Sequence, residues 1–255
     1  MRVLWVMAHP EPRSLTGRMR TEGVAALRQA GHAVRESDLY RMGWNPVVTA
    51  ADFAHDGRDR LDVAAESERA LRSGGLAPDI RAEHDKLAWA DTVVLHFPLW
   101  WYGMPAIMKG WLDRVLVQGY AYGVRDPETG RTRRYGDGGL AGRRALAVVT
   151  VGAHAGIGPR GLHGDLSEVL FPLLHGTFWY TGMSVAEPVV MSGANRVEPA
   201  RYDALAADLR ERLLTLPDSP SIPYRCQDGG EYDTDWNLRP GIAAGESGLG
   251  IHRAG

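Results

Sequence analysis

The sequence predicts an α/β fold: a doubly wound five-stranded parallel sheet with helices on both faces and a C-terminal arm. Three observations carry that expectation. Five short apolar runs alternate with longer segments of helical period, the pattern of βα units. The third and fourth runs, VVLHF at 93–97 and RALAVVTV at 144–151, are nearly continuous, as strands covered on both faces of a parallel sheet are. Beyond residue 216 the helical period stops, and a tail rich in Pro, Gly and Asp still carries Tyr224, Tyr232, Trp236 and Leu238. That tail is read as an ordered arm packed on the body or on a second subunit, which divides the chain into 1–216 and 217–255.

Residues 3–8 form the first strand, and the turn HPEPRSLTG leads into a helix over 15–30 with Ser14 as its N-cap. A helix start beside a strand end aims unpaired N–H groups and the positive end of the helix dipole at one point, an anion site; a plain capped helix explains the motif equally well. Gly31 closes the helix, and 33–39 is the second strand. Residues 43–90 make a long connection that holds a charged run at 56–62, a helical AAESERALRSG, and a helix over 79–90 after Pro78. A connection of that length in a compact domain is functional or covers a face.

The third strand, 93–97, stops at Pro98, which has no N–H for the ladder. Leu99, Trp100, Trp101, Tyr102 and Gly103 follow, three adjacent aromatics where a polar turn is expected. From Pro105 the period is helical, with Ile107, Met108, Trp111, Leu112, Val115 and Leu116 on one face. Ligands of open α/β sheets sit beyond the carboxyl ends of the strands, so an aromatic wall at that place points to a flat apolar ligand. Burial of the tryptophans in the core is the competing reading.

Residues 125–142 are turn-rich and basic at Arg131, Arg133 and Arg134: a solvated hairpin, or a cluster that meets the phosphates of a nicotinamide nucleotide. The fourth strand, 144–151, runs into TVGAHAGIGPRGLHGD, where small residues let a planar ring lie against backbone. Gly156, Gly158 and Gly161 spell GxGxxG, but outside the first βα unit and without an acidic residue some twenty positions on, so it is not read as a dinucleotide fingerprint. A helix over 165–175, a fifth strand over 184–191 and an amphipathic helix over 199–216 complete the body.

The totals are those of a soluble globular protein: 255 residues, 44% hydrophobic, 24% charged, net charge −2. That balance predicts no affinity for nucleic acid, and no apolar run approaches the roughly 18 residues that insert in a bilayer. MRVLWVMA is too short for a signal-peptide core, and a single cysteine, Cys226, suits a reducing compartment, so a cytoplasmic location is expected. No metal site is expected.

FPLWWYGMPAIMKGWLDRVLVQGYAYG, at 97–123, resembles the signature of the NAD(P)H:quinone oxidoreductases of the DT-diaphorase type. VMAHPEPRSLTGRM, VRESDLYRMGWNPVV, LAPDIRAEHDKLAWAD and GLHGDLSEVLFPLLHGTFWYTG are similar to that family in the same order. The resemblance implies a flavodoxin-like fold with strand order 2-1-3-4-5 and a homodimeric NAD(P)H dehydrogenase (quinone). It implies FAD as cofactor, with FMN as the alternative, and NADH or NADPH as hydride donor. The implied reaction is two-electron reduction of quinones or similar planar electrophiles by ping-pong hydride transfer. A flavodoxin-like electron carrier or a regulatory, transporter-ancillary flavoprotein with weak turnover is the rival function.

Carried over residue by residue, the resemblance places His9, Leu15 and Thr16 at the flavin phosphates, and Pro98, Leu99, Trp100, Trp101 and Tyr102 with Thr150, Val151, Gly152 and Ala153 around the ring. It places Asp113 and Arg201 at the distal part of the cofactor, and Tyr122 over the substrate from the other subunit. Trp101, Tyr102, Tyr122, His163, Phe178 and Trp179 are expected against the acceptor, with Tyr180 nearby. His163 is the candidate catalytic group, since an imidazole can neutralise charge that builds as the ring or quinone gains electrons. The family pairs this histidine with a tyrosine; here the loop is one residue shorter and Gly158 falls at the tyrosine's place. Either His163 acts alone, His154 substitutes, or the rate is lower. Thr16, Asp62 and Val124 stand where family members carry asparagine, glutamine and a second tyrosine.

Overall fold

The computed structural model describes residues 1–254. The strands β1 (Arg2–Met7), β2 (Ala33–Asp38), β3 (Thr92–Pro98), β4 (Arg144–Val151), β5 (Ser184–Val185) and β6 (Val189–Ser192) form one sheet. Its order is β2-β1-β3-β4-β5, with β6 also against β4, and each pairing is parallel. The helices are α1 (Leu15–Gln29), α2 (Val63–Ser73), α3 (Pro78–Trp89), α4 (Ala106–Val115), α5 (Leu166–Val169), α6 (Phe171–Leu173) and α7 (Pro199–Leu214). Successive β1 residues alternate between two cores: Leu4 and Val6 pack with Phe97, Met108 and Trp111, while Val3, Trp5 and Met7 pack with Met19, Leu27 and Leu209. This is the doubly wound, flavodoxin-like α/β arrangement that the sequence predicts.

Two expected elements are divided in the structure, each at a proline. The fifth strand, expected over 184–191, splits at Pro188, and its register against β4 steps from Arg144↔Ser184 to Val148↔Val189, an excess of one residue as in a bulge. The helix expected over 165–175 breaks into α5 and α6 around Pro172 and continues as a π-helical turn, Leu174–Trp179.

The long connection is fastened to α4 from within. Arg114, itself buried, donates to Asp52 (Nη2–Oδ1 2.7 Å), to Asp79 (2.7 Å) and to the Asn45 carbonyl (3.0 Å), and lies over the Trp44 ring. Gly110 permits the approach, because a Cβ there would stand 2.2 Å from the Pro46 carbonyl oxygen. The chain beyond Leu216 returns along β5, where Ile222 N–H donates to the Val185 carbonyl (2.7 Å), and crosses the π-helical turn, where the Trp179 indole N–H donates to the Arg225 carbonyl (3.1 Å). Among the described residues no helix is long and apolar enough to cross a membrane.

Candidate active site

The ends of β3 and β4 are held together by the Leu99 N–H, which donates to the Thr150 carbonyl at 2.8 Å. Immediately beyond, Trp100 and Gly103 exchange both of their backbone hydrogen bonds, each 3.0 Å. Trp101 and Tyr102 are therefore the two central residues of a tight hairpin turn, and both are left-handed, with φ of 50° and 59°. Such a turn selects Asn and Gly at these places; an aromatic residue held there costs about 1–2 kcal/mol. Packing within the chain does not repay that cost, since Trp101 is 99% exposed, Tyr102 55% and Trp100 42%. Backbone strain kept beside a cleft, with the strained side chains turned outward, points to a ligand that they contact.

The facing border is small at Gly152 and Ala153. A cleft of about 280 Å³ lies between Leu99, Trp101 and Tyr102 on one side and Val151, Gly152, Ala153, Ile157 and His163 on the other. The Tyr102 hydroxyl meets His163 Nδ1 at 3.1 Å and bridges the two borders. The loop that carries His163 is folded on itself: His163 N–H donates to the Gly156 carbonyl (2.8 Å), and a Cβ on Gly161 would stand 2.1 Å from that oxygen. The glycines of GxGxxG thus close their own loop.

A second group of donors lies at the start of α1. Ser14 Oγ accepts from the Gly17 N–H (3.1 Å), while Leu15 and Thr16 bury their side chains, Thr16 through a 2.7 Å hydroxyl contact with Thr150 at the end of β4. The N–H groups of Leu15 and Thr16 have no acceptor among the described residues and sit at the positive end of a 15-residue helix. Beside them Glu11 holds the His9 ring, with Nδ1 3.0 Å from the Glu11 N–H and 3.1 Å from the Glu11 carbonyl oxygen. Burial holds His9 below its ordinary pKa. His9 and Trp100 are neighbours, their ring centroids 5.8 Å apart. N–H donors for phosphate next to a flat cleft with an aromatic border fit a flavin nucleotide.

Other expected site residues lie elsewhere in the single chain. Asp113, which accepts from Lys109 (2.5 Å), and Tyr122 share a separate cleft of about 400 Å³ with Leu116, Pro172 and Tyr180. Arg201 is exposed on the first turn of α7. Phe178 and Trp179 require correction: Phe178 is 1% exposed within the core, and Trp179 lies beneath the C-terminal arm, so neither lines the cleft between β3 and β4. The π-helical turn sets this, carrying Phe178 inward and leaving Tyr180 to line the separate cleft with Tyr122. The basic cluster is largely spent internally, with Arg131 paired to Asp137 and Asp228 and Arg133 to Asp126. Asp62 serves as the N-cap of α2.

The model of a family described as having a flavodoxin-like fold matches residues 1–213. A ribosyldihydronicotinamide dehydrogenase-like protein of Penicillium crustosum is 41% identical over 257 residues, covering 99% of this chain and 95% of that protein. NAD(P)H dehydrogenase [quinone] 1 of Rattus norvegicus is 35% identical over 218 residues, covering 84% of this chain and 77% of that protein. A crystal structure from Klebsiella pneumoniae, described as a "putative quinone reductase", superposes with a TM-score of 0.95 at 42% identity, covering all of both chains. The chain belongs to the flavodoxin-like family that contains the NAD(P)H dehydrogenases [quinone] and the ribosyldihydronicotinamide dehydrogenases.

Proposed function

We propose that this protein is a flavin-dependent NAD(P)H dehydrogenase that reduces quinones or similar planar electrophiles by two electrons. The observation that carries the reading is the cleft between β3 and β4, with its outward, strained Trp101–Tyr102 turn on one border and the Gly152–Ala153 backbone on the other. The relatives named for quinone reduction support the same substrate class. A bound flavin supplies the hydride transfer between nicotinamide and acceptor that no side chain can perform.

The residues of the chain have distinct parts in this proposal. The N–H groups of Leu15 and Thr16 and the His9 ring hold the phosphates. Trp101 and Tyr102 give the stacking surface, with Pro98 and Leu99 on the same side, and 150–153 give the close, small-residue edge opposite. His163 offers its Nε2–H where negative charge develops, and the Tyr102 hydroxyl, 3.1 Å from Nδ1, can pass its own proton to that nitrogen as Nε2 gives one up. Tyr102 thereby supplies the hydroxyl that the shortened glycine-rich loop lacks, and His154, which is absent from the cleft lining, has no part. Donor and acceptor use the same mouth in turn, a ping-pong order.

FAD is proposed over FMN by resemblance, with Asp113 and Arg201 assigned to its distal half. A homodimer is proposed, in which the face bearing Tyr122 and Tyr180 meets the partner's cleft, and residues 217–255 form an extension of the body rather than a separate domain. A cytoplasmic location accords with one free cysteine, Cys226. The test is direct: the purified protein is yellow, acid-released cofactor migrates as FAD, and NADH or NADPH is oxidised rapidly with a soluble quinone. Release of FMN alone would overturn the cofactor assignment. Binding of flavin without turnover of any quinone would favour an electron carrier or ancillary subunit.

A further inference from the structure

A second cavity, of about 310 Å³, lies where the 125–142 excursion, the π-helical turn and the C-terminal arm meet, and it shares no lining residue with the flavin cleft. Its walls are rings. His175 is stacked between Phe171 (centroids 4.6 Å, 19°) and Tyr135 (4.9 Å, 29°), and the Tyr232 hydroxyl meets His252 Nδ1 at 3.0 Å across the arm. Two lining residues are held left-handed without being glycine, Tyr135 (φ 50°) and Trp236 (φ 65°), and the adjoining π-helical turn is a further departure from regular backbone. Strain at two chain-distant positions that converge on one cavity is the pattern of a built site.

The charges in and around the cavity select the ligand. Arg225 is paired with Glu231, and Arg131 takes both Asp137 and Asp228. Arg134 differs: its Nε donates to Gln227 Oε1 (2.8 Å), its guanidinium lies 4.0 Å over the Trp236 ring, and neither Nη has an acceptor among the described residues. The ring nitrogens of His175, likewise without partners among these residues, add a neutral donor and acceptor. A cationic ligand would be repelled by Arg134, whereas a carboxylate can take both Nη groups in the fork geometry that guanidinium favours. The volume is at the small end of the range for ligand pockets, roughly 300–1,000 Å³, and suits one or two fused rings. We propose that this cavity is a binding site for a small planar aromatic carboxylate, whose ring stacks among Tyr135, Phe171 and Trp236 and whose acid group pairs with Arg134.

Calorimetric titration of the full-length, flavin-saturated protein with 2-naphthoate tests this, with 2-naphthamide as the neutral isostere. Saturable binding of the acid is expected, at least tenfold tighter than that of the amide, and Arg134→Gln should weaken it roughly tenfold to a hundredfold. Trp101→Ala, which alters the flavin cleft, should leave it unchanged. Absence of saturable binding, equal affinity for acid and amide, or loss of binding in Trp101→Ala with retention in Arg134→Gln would each overturn the proposal. Should Arg134→Gln fail to fold by circular dichroism, the acid–amide comparison on the unmodified protein still decides.

Discussion

Trp101→Asn should raise the stability of the flavin-free protein while it lowers affinity for the flavin. Trp101 is 99% exposed and left-handed, so its side chain contributes almost no packing and its backbone carries strain. Asn tolerates the left-handed region, and its presence at the first central position of such a turn relieves about 1 kcal/mol. For a chain of 255 residues the unfolding entropy is about 0.5 kcal/mol/K, so the gain corresponds to a rise in Tm of about 2 °C. Removal of one stacking ring costs about 1–3 kcal/mol of binding, a loss of roughly fivefold to 150-fold in Kd. Differential scanning calorimetry of stripped protein and flavin-fluorescence titration read the two effects separately. A fall in Tm of several degrees would show that Trp101 packs in the fold, and an unchanged Kd would remove it from the site.

Further consequences follow from the same geometry. His163→Gln should slow anaerobic single-turnover reduction roughly tenfold to a thousandfold, the scale of a lost electrostatic donor, and Tyr102→Phe should shift the pH dependence of that rate with a smaller loss; unchanged single-turnover rates would exclude both residues. Arg114→Met should cost about 3–5 kcal/mol, because it leaves Asp52 buried without its partner, and should lower Tm by roughly 6–9 °C; a change under 2 °C would contradict the fastening role. Burial holds His175 at a pKa of about 4 and His96 at about 3, below the 6.5 of an open chain. Below pH 6.5 the unfolded chain binds protons that the folded chain refuses, so stability is complete above that pH and is lost as pH falls toward 4 and then 3. Urea midpoints should therefore hold from pH 7.5 to 6.5 and decline by pH 5, less steeply in His175→Gln; an equal slope in that variant would contradict the assignment.

The sheet was legible because its signals are local. RALAVVTV at 144–151 is a strand of the same bounds in the structure, and Ser14 and Gly31 mark the ends of α1 as capping chemistry requires. Pro172 and Pro188 were visible too, but their effect depends on neighbours: each sits in an apolar run whose period reads through it, and the break shows only when the lost hydrogen bonds are counted in three dimensions. The aromatic wall was legible as an anomaly of composition at a strand end. Its left-handed turn was not, since Trp-Tyr is among the least expected pairs for that geometry. The bridge from Tyr102 to His163 spans 61 residues and has no trace in spacing, and Phe178 could not be told from Tyr180 without the π-helical turn that rotates them apart.

The most direct measurement is a crystal structure of the flavin-loaded protein. The ring system should lie between the Trp101–Tyr102 turn and the Gly152–Ala153 backbone, with the phosphates on the Leu15 and Thr16 amides. A ring seated anywhere else, with Trp101 still in solvent, would contradict it.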